Sequence, residues 1–330
     1  MMNFDRREFL KILGGTAAWT AWSRLTSTAT WAREPVPTGE PASQPIEPDK
    51  SLVVRVRSNR LFKYESLNRR MLREMIEYGM KELAGADSFE GALKQMFSKK
   101  DIIGFKFNSS QAPLLGTNVP LAEEFLRLFH RAGYDPGKML FIEVQPVDEN
   151  LPACGKVRFG WGPETDFGSG RDSFACVLDQ VTALVNVGML KANAVAGMSG
   201  CLKNLAYGLI KHPYRYHARG CTPYIADIYR LPIIRSKVRL NVLSALKILI
   251  RTEQFHLRDA VVEDASLLFG HDVVAVDATG FEILDALRKK KGLPSLVEEI
   301  DFPRQLVAAA QKGLGVYHPD QIQQKGINQE

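Results

Sequence analysis

The chain lacks most of the motifs that announce a function. It holds four cysteines in 330 residues, Cys154, Cys176, Cys201 and Cys221, and no two form a Cys-x-x-Cys pair. That excludes the ligand spacing of zinc ribbons and of ferredoxin-type clusters, so no internal iron–sulfur motif is present. An even count still permits one or two disulfides, and buried thiols fit as well. There is no P-loop. Gly197-Met-Ser-Gly-Cys201 lacks the second glycine of a nucleophile elbow, and Ser199 and Lys203 are one residue too far apart for Ser-x-x-Lys. The pairs Gly160/Gly162, Gly168/Gly170 and Gly313/Gly315 do not sit between a strand and a helix with a third glycine, which excludes a dinucleotide fingerprint. Strong charge of one sign is also missing. The net charge is +6, and setting aside residues 1–32 leaves 39 basic against 35 acidic groups. No basic run is interleaved with aromatics, so nucleic acid is not an expected partner. Lys289-Lys290-Lys291 ends a predicted helix, where cations suit the dipole.

What is present begins at the start. Arg6-Arg7-Glu8-Phe9-Leu10-Lys11 has the pattern of a twin-arginine export signal, with Asp5 where Ser or Thr is commonest. The weakly apolar run Ile12 to Trp22 follows. It is well short of the roughly 20 residues that span a bilayer, so a removable peptide is expected rather than a permanent membrane span. Cleavage is expected after Ala29 or Ala32. The expected partner is the twin-arginine translocase, and the expected location is periplasmic or extracytoplasmic. That route carries folded proteins, often folded around a cofactor, which makes a divalent metal a candidate cofactor.

Residues 33–50 contain Pro35, Pro37, Pro41, Pro45 and Pro48 and almost no large apolar residue, as an extended linker would. Residues 51–320 read as a single α/β domain, and 321–330 as a polar tail. Strand signals fall at Leu52–Val56, Ile102–Phe107, Met139–Val144, Ala183–Val187, Val238–Leu243 and Val273–Val276. Helical stripes fall at Asn68–Leu83, from a cap at Asn118 to Gly133, and from a cap at Asp277 to Gly292. Short apolar strands alternating with amphipathic helices predict an α/β fold: a mostly parallel sheet with helices on both faces. Residues 149–172, rich in Gly, Pro and charge, read as a long loop insertion.

The densest polar constellation follows the strand ending at Val187. It comprises Lys191, Asn193, Ser199, Gly200, Lys203 and Asn204. In open α/β sheets ligands bind beyond the carboxyl ends of strands, and a glycine-rich turn opening a helix presents free N–H groups to an anion. Lys191, Ser199, Gly200, Lys203 and Asn204 are therefore the expected anion-binding set. His217 and Asp227 are candidate catalytic acid–base groups or metal ligands. A solvated glycine-rich loop is the competing reading of the same residues.

The order Lys106-Phe-Asn108, Val187-Gly-Met-Leu-Lys191, Gly200-Cys-Leu-Lys203-Asn204-Leu205, Tyr216-His217, Pro223-Tyr-Ile-Ala-Asp227 and Gly270-His-Asp272-Val-Val-Ala-Val-Asp277-Ala-Thr-Gly280 resembles the family called domain of unknown function 362 over residues 51–318. It resembles in particular the exported, twin-arginine branch. The resemblance implies supporting roles for Lys106, Asn108, Asn193 and Asp277, and a ferredoxin-like redox partner, because some members carry iron–sulfur modules. Two positions depart from the family pattern. Asn193 stands where a histidine is usual, and Ser244 where an aspartate is expected. Asn cannot act as a base, and Ser is a poor ligand for a divalent cation. Two functions follow: an exported enzyme acting on a small phosphate- or carboxylate-bearing substrate, or a non-catalytic binding or accessory protein of a periplasmic redox system.

Overall fold

Strand-forming runs that are apolar on both faces can only be buried between two layers of helices, and the chain folds that way. The structure is a computed structural model. It describes residues 50–64, 66–144, 154–251, 260–299 and 302–329, so the export signal and nearly all of the proline-rich linker lie outside the described residues.

Among the described residues, the strands longer than two residues are β1 (Ser51–Ser58), β2 (Ile103–Lys106), β3 (Met139–Ile142), β4 (Trp161–Asp166), β5 (Arg171–Ala175), β6 (Ala183–Asn193), β7 (Gly197–Ser199), β8 (Val238–Leu249), β9 (Val261–Gly270) and β10 (Ile322–Gln329). Eight of them form one mixed sheet in the order β10-β1-β9-β8-β6-β2-β3, with β7 folded back on β6. The pairs β10/β1, β8/β6, β6/β2 and β2/β3 are parallel. The pairs β1/β9, β9/β8 and β6/β7 are antiparallel. The fold class read from the sequence therefore holds, with an antiparallel insertion of β9 between β1 and β8.

Helices α1 (Arg69–Ala84), α2 (Phe89–Met96) and α3 (Asn118–Arg131) cover one face. Their core is aromatic: Phe105, Phe125, Phe129 and Phe269 are all fully buried. Helices α4 (Cys201–Tyr207), α5 (Tyr224–Tyr229), α6 (Val273–Lys290) and α7 (Arg304–Gln311) cover the other face, where Leu205, Ile225, Leu243, Leu268 and Val274 are buried. The crossover from β2 through α3 runs outward to β3. The crossover from β6 through α4 and α5 runs the opposite way to β8, over the other face. The chain thus changes winding direction between β2 and β6, the point where a doubly wound sheet opens a crevice at its carboxyl edge.

Four local expectations are corrected. Val273–Val276 is not a strand but the first turn of α6. Asp272, not Asp277, is its cap, accepting from the N–H groups of Val274 and Ala275. An apolar run at a helix start mimics a strand because that turn is buried all round. Thr117, not Asn118, occupies the cap position of α3, and Asn118 instead donates to the carbonyls of Asn108 and Val144. The segment read as a polar tail pairs with β1 as the edge strand β10, exposed along most of its length as edge strands often are. The described part of the loop insertion contains an antiparallel hairpin, β4 with β5; residues 149–153 lie outside the described residues. The four cysteines are free thiols.

Gly79 fits α1 against β9. A Cβ there would lie 2.2 Å from the Phe269 ring, whereas one at Gly326 on β10 would meet nothing within 4 Å. Gly79→Ala should therefore destabilise the protein by about 1–3 kcal/mol through overpacking, and Gly326→Ala should leave the denaturation midpoint nearly unchanged. Urea unfolding of the two variants checks this; equal midpoints would contradict the packing of α1.

Candidate anion site

Three lysines converge near the carboxyl ends of β2 and β6, where the charges of Lys106 and Lys203 both act on Lys191, and the sequence separates the first from the last by nearly 100 residues. Lys106 ends β2 and is fully buried. Its Nζ donates to the carbonyl of Phe107 at 2.7 Å, to Glu143 Oε2 at 3.1 Å and to Asn204 Oδ1 at 3.1 Å. Three acceptors match the three protons of an ammonium. A Cβ at Gly208 would lie 2.4 Å from that Nζ, so the helix end leaves the lysine its space. Lys191, near the end of β6, is buried. Its Nζ donates to Asn108 Oδ1 at 3.3 Å and to the carbonyl of Ser110 at 2.8 Å. Lys203, on α4, is partly buried. Its Nζ lies 5.7 Å from the centre of the Tyr207 ring and meets no hydrogen-bond acceptor among the described residues.

Burial pulls the pKa of Lys191 down to about 7, helped by the charges of Lys203 and Lys106 and opposed by Glu143. Burial also lowers Lys106 and Lys203. His217 lies close to this group: its ring centre is 5.1 Å from that of Tyr207, and its Nδ1 bonds the carbonyl of Pro213 at 3.0 Å. Burial first, then the Lys203 charge, pushes its pKa down to about 4, so it is a neutral imidazole near neutral pH. Among the described residues, Glu143 is the one carboxylate whose charge acts on Lys191 and Lys106.

The loops that hold these groups are strained. Gln111, Glu143, Arg219 and Cys221 all have positive φ without being glycine, at 65°, 54°, 54° and 65°. Each such conformation costs on the order of 1 kcal/mol or more and persists only where its surroundings fix it.

Beneath the lysines runs a chain of buried amides. Asn204 Nδ2 donates to Asn186 Oδ1 at 2.8 Å and to the carbonyls of Lys106 and Val187. Asn186 Nδ2 donates to Asn241 Oδ1 and to the carbonyl of Cys201, both at 2.9 Å. Asn241 passes the chain to the carbonyl of His271 at 3.0 Å. Asn204 is therefore the joint between the amide chain and the lysines.

Several expected site residues have other work. The N–H groups of Cys201 and Leu202, which open α4, are taken by Asp277 at 2.7 and 2.9 Å, so the Gly200 turn is not a free anion cradle. Gly200 is needed because a Cβ there would lie 2.4 Å from the Asp277 carboxylate. Burial pushes Asp277 up to about 7 against the two bonds that lower it. Ser199 sits on β7 in register with Lys191. Asn193 accepts from the N–H groups of Val195 and Ala196 and closes the turn between β6 and β7. Asp227 forms ion pairs with Lys312 at 2.9 Å and Arg230 at 3.3 Å, and it is not among the charges that shift Lys203 or His217. Ser244 is buried on β8, and its Oγ has no partner among the described residues. Among the described residues no group of three or more His, Cys, Asp or Glu side chains gathers to hold a metal ion.

Sequence reading missed Glu143, Ser110, Tyr207 and Cys221. The one signal for Glu143 was a lone carboxylate ending an apolar strand. It also missed Asp172 and His212, whose 3.0 Å ring contact joins β5 to the segment after α4 and reads as an anchor for that segment.

The Lys191 shift makes a pH prediction. Its folded pKa, about 7, lies below the ordinary 10.5, so the unfolded chain binds the extra proton between those values. Stability should rise with pH from about 7 toward 10, by no more than about 1.4 kcal/mol per pH unit from this group. Lys191→Met should flatten that rise and be relatively more stable at pH 7 than at pH 9. Denaturation midpoints across this range check it; parallel profiles for both proteins would contradict the burial of a charged Lys191.

Among the described residues no helix is long and apolar enough to cross a membrane. No curated protein matches the chain. A crystal structure of a Thermotoga maritima protein is similar at 11% identity and a TM-score of 0.42, over 69% of this chain. The chain spans 60% of the length of that protein. Residues 167–282, which include Lys191, Lys203, Asn204, His217, Asp227 and Asp277 but neither Lys106 nor Glu143, match the uncharacterised family described as Domain of unknown function (DUF362), which supports that family for this part of the chain.

Proposed function

We propose that the protein binds a small anionic ligand in the crevice between β2 and β6, with Lys203 as its principal contact. One observation carries the reading: Lys203 brings a charge to a partly buried position where no acceptor meets it. An ammonium whose three donors meet no protein acceptor is available to an anion, with which it forms charge-assisted bonds. Lys191, with two acceptors, lies close enough for the charge of Lys203 to act on it. Binding is favoured over turnover because Asp227 is tied up in ion pairs and Asn193 in a turn. The enzyme reading has one observation of its own, a lysine held near pH 7 that can take up and return a proton.

Lys203→Ala should weaken an oxyanion such as inorganic phosphate about tenfold or more, since a charge-assisted bond contributes about 1.5–3 kcal/mol. Titration calorimetry of the folded variant reads this. Unchanged affinity would remove Lys203 from the site and with it this function.

We further propose that the chain is exported by the twin-arginine route, on the strength of Arg6-Arg7 followed by Phe9-Leu10-Lys11. Replacing both arginines with lysine should strand the precursor in the cytoplasm. Undiminished periplasmic yield would refute export by this route.

A further inference from the structure

The acceptor count around the three lysines differs in a way that specifies the ligand's charge. Lys106 has three acceptors and is complete. Lys191 has two, which completes a neutral amine but leaves an ammonium one proton short of a partner. Lys203 has none among the described residues. With all three protonated, Glu143 offsets one charge, and among the described residues two positive charges remain.

We propose that the crevice takes a doubly charged oxyanion, of the phosphate or sulfate type, and that its binding puts a proton on Lys191. This rests on the anion-binding reading above and deepens it. Four N–H donors stand open once Lys191 is an ammonium, one from Lys191 and three from Lys203. That donor count suits a group with several charged oxygens better than a single carboxylate. The groups acting on Lys191 are Lys106 from β2, Glu143 after β3 and Lys203 from α4. Ser199 of β7 and Leu249 of β8, its register partners, carry no charge. Without a ligand, the two cations outweigh Glu143 among the described residues, and burial disfavours a third charge. A dianion reverses that balance, because an opposite charge within a few ångströms favours the protonated amine. The proton comes from solvent, no bond between heavy atoms forms or breaks, and affinity falls as pH rises above 7.

The test uses sulfate, which does not titrate near neutrality, so any proton taken up belongs to the protein. Calorimetry at pH 8 in two buffers of different ionisation enthalpy measures affinity and proton uptake together, with acetate as the singly charged comparison. Sulfate should bind at least about tenfold more tightly than acetate. Its binding should take up close to one proton, and Lys191→Met should abolish the uptake while keeping weaker sulfate binding. Inorganic phosphate in a third arm distinguishes the two dianion chemistries by which binds tighter. Equal affinity for acetate and sulfate, or sulfate binding without proton uptake, overturns this inference and leaves the anion site standing. Failure of sulfate, phosphate and acetate alike to bind the wild-type protein overturns the anion site itself.

Discussion

The structure depends on a line of buried hydrogen bonds that crosses the centre of the sheet. It runs from Lys106 through Asn204 and Asn186 to Asn241 and joins β2, α4, β6, β8 and the turn after β9. All four side chains are buried. A typical bond of this kind contributes about 1 kcal/mol, but a donor or acceptor left unmet costs about 1–3 kcal/mol. The line is therefore stable only when every member is in place. Its completeness fixes α4 over β6 and, with it, the direction in which Lys203 leaves the helix.

That rigidity explains how the crevice tolerates its charge. A buried ammonium is acceptable where its protons are matched, as at Lys106, and costly where they are not. Lys191 and Lys203 form a graded series away from that satisfied case, held by loops with positive φ at Gln111, Glu143 and Cys221. Locally unfavourable backbone gathered in one place means that the surrounding fold supplies the stability the site gives up.

The fold was largely legible because burial writes itself into composition. Val-, Leu- and Phe-rich runs marked most of the sheet, and Asn68, which accepts from the N–H of Met71, marked a helix start. The failures share one cause. Val273–Val276 carries a strand's composition on a helix buried on every side, and the β9 strand is obscured by Glu263 and Asp264 within it. Local composition reports burial and not backbone geometry, so the two cases were exchanged. Within the site, Lys191, Lys203 and Asn204 were legible because a strand end and a helix start flank them. Glu143 and Ser110 were not, because they reach the crevice only through loops that other strands place there.

By itself the sequence determined the alternation of strands and helices, the two apolar faces of the sheet, and which lysines follow its central strands. Those properties depend on residue type and local spacing. The tertiary structure alone decided that Asp277 closes the start of α4, that Asp227 pairs with Lys312 and Arg230, and that Lys106 finds three acceptors while Lys203 finds none among the described residues. Hydrogen bonds and ion pairs act over about 3–4 Å between groups that may lie far apart in the chain. Which donor finds an acceptor, and which is left for a ligand, is settled only when the strands have taken their order in the sheet.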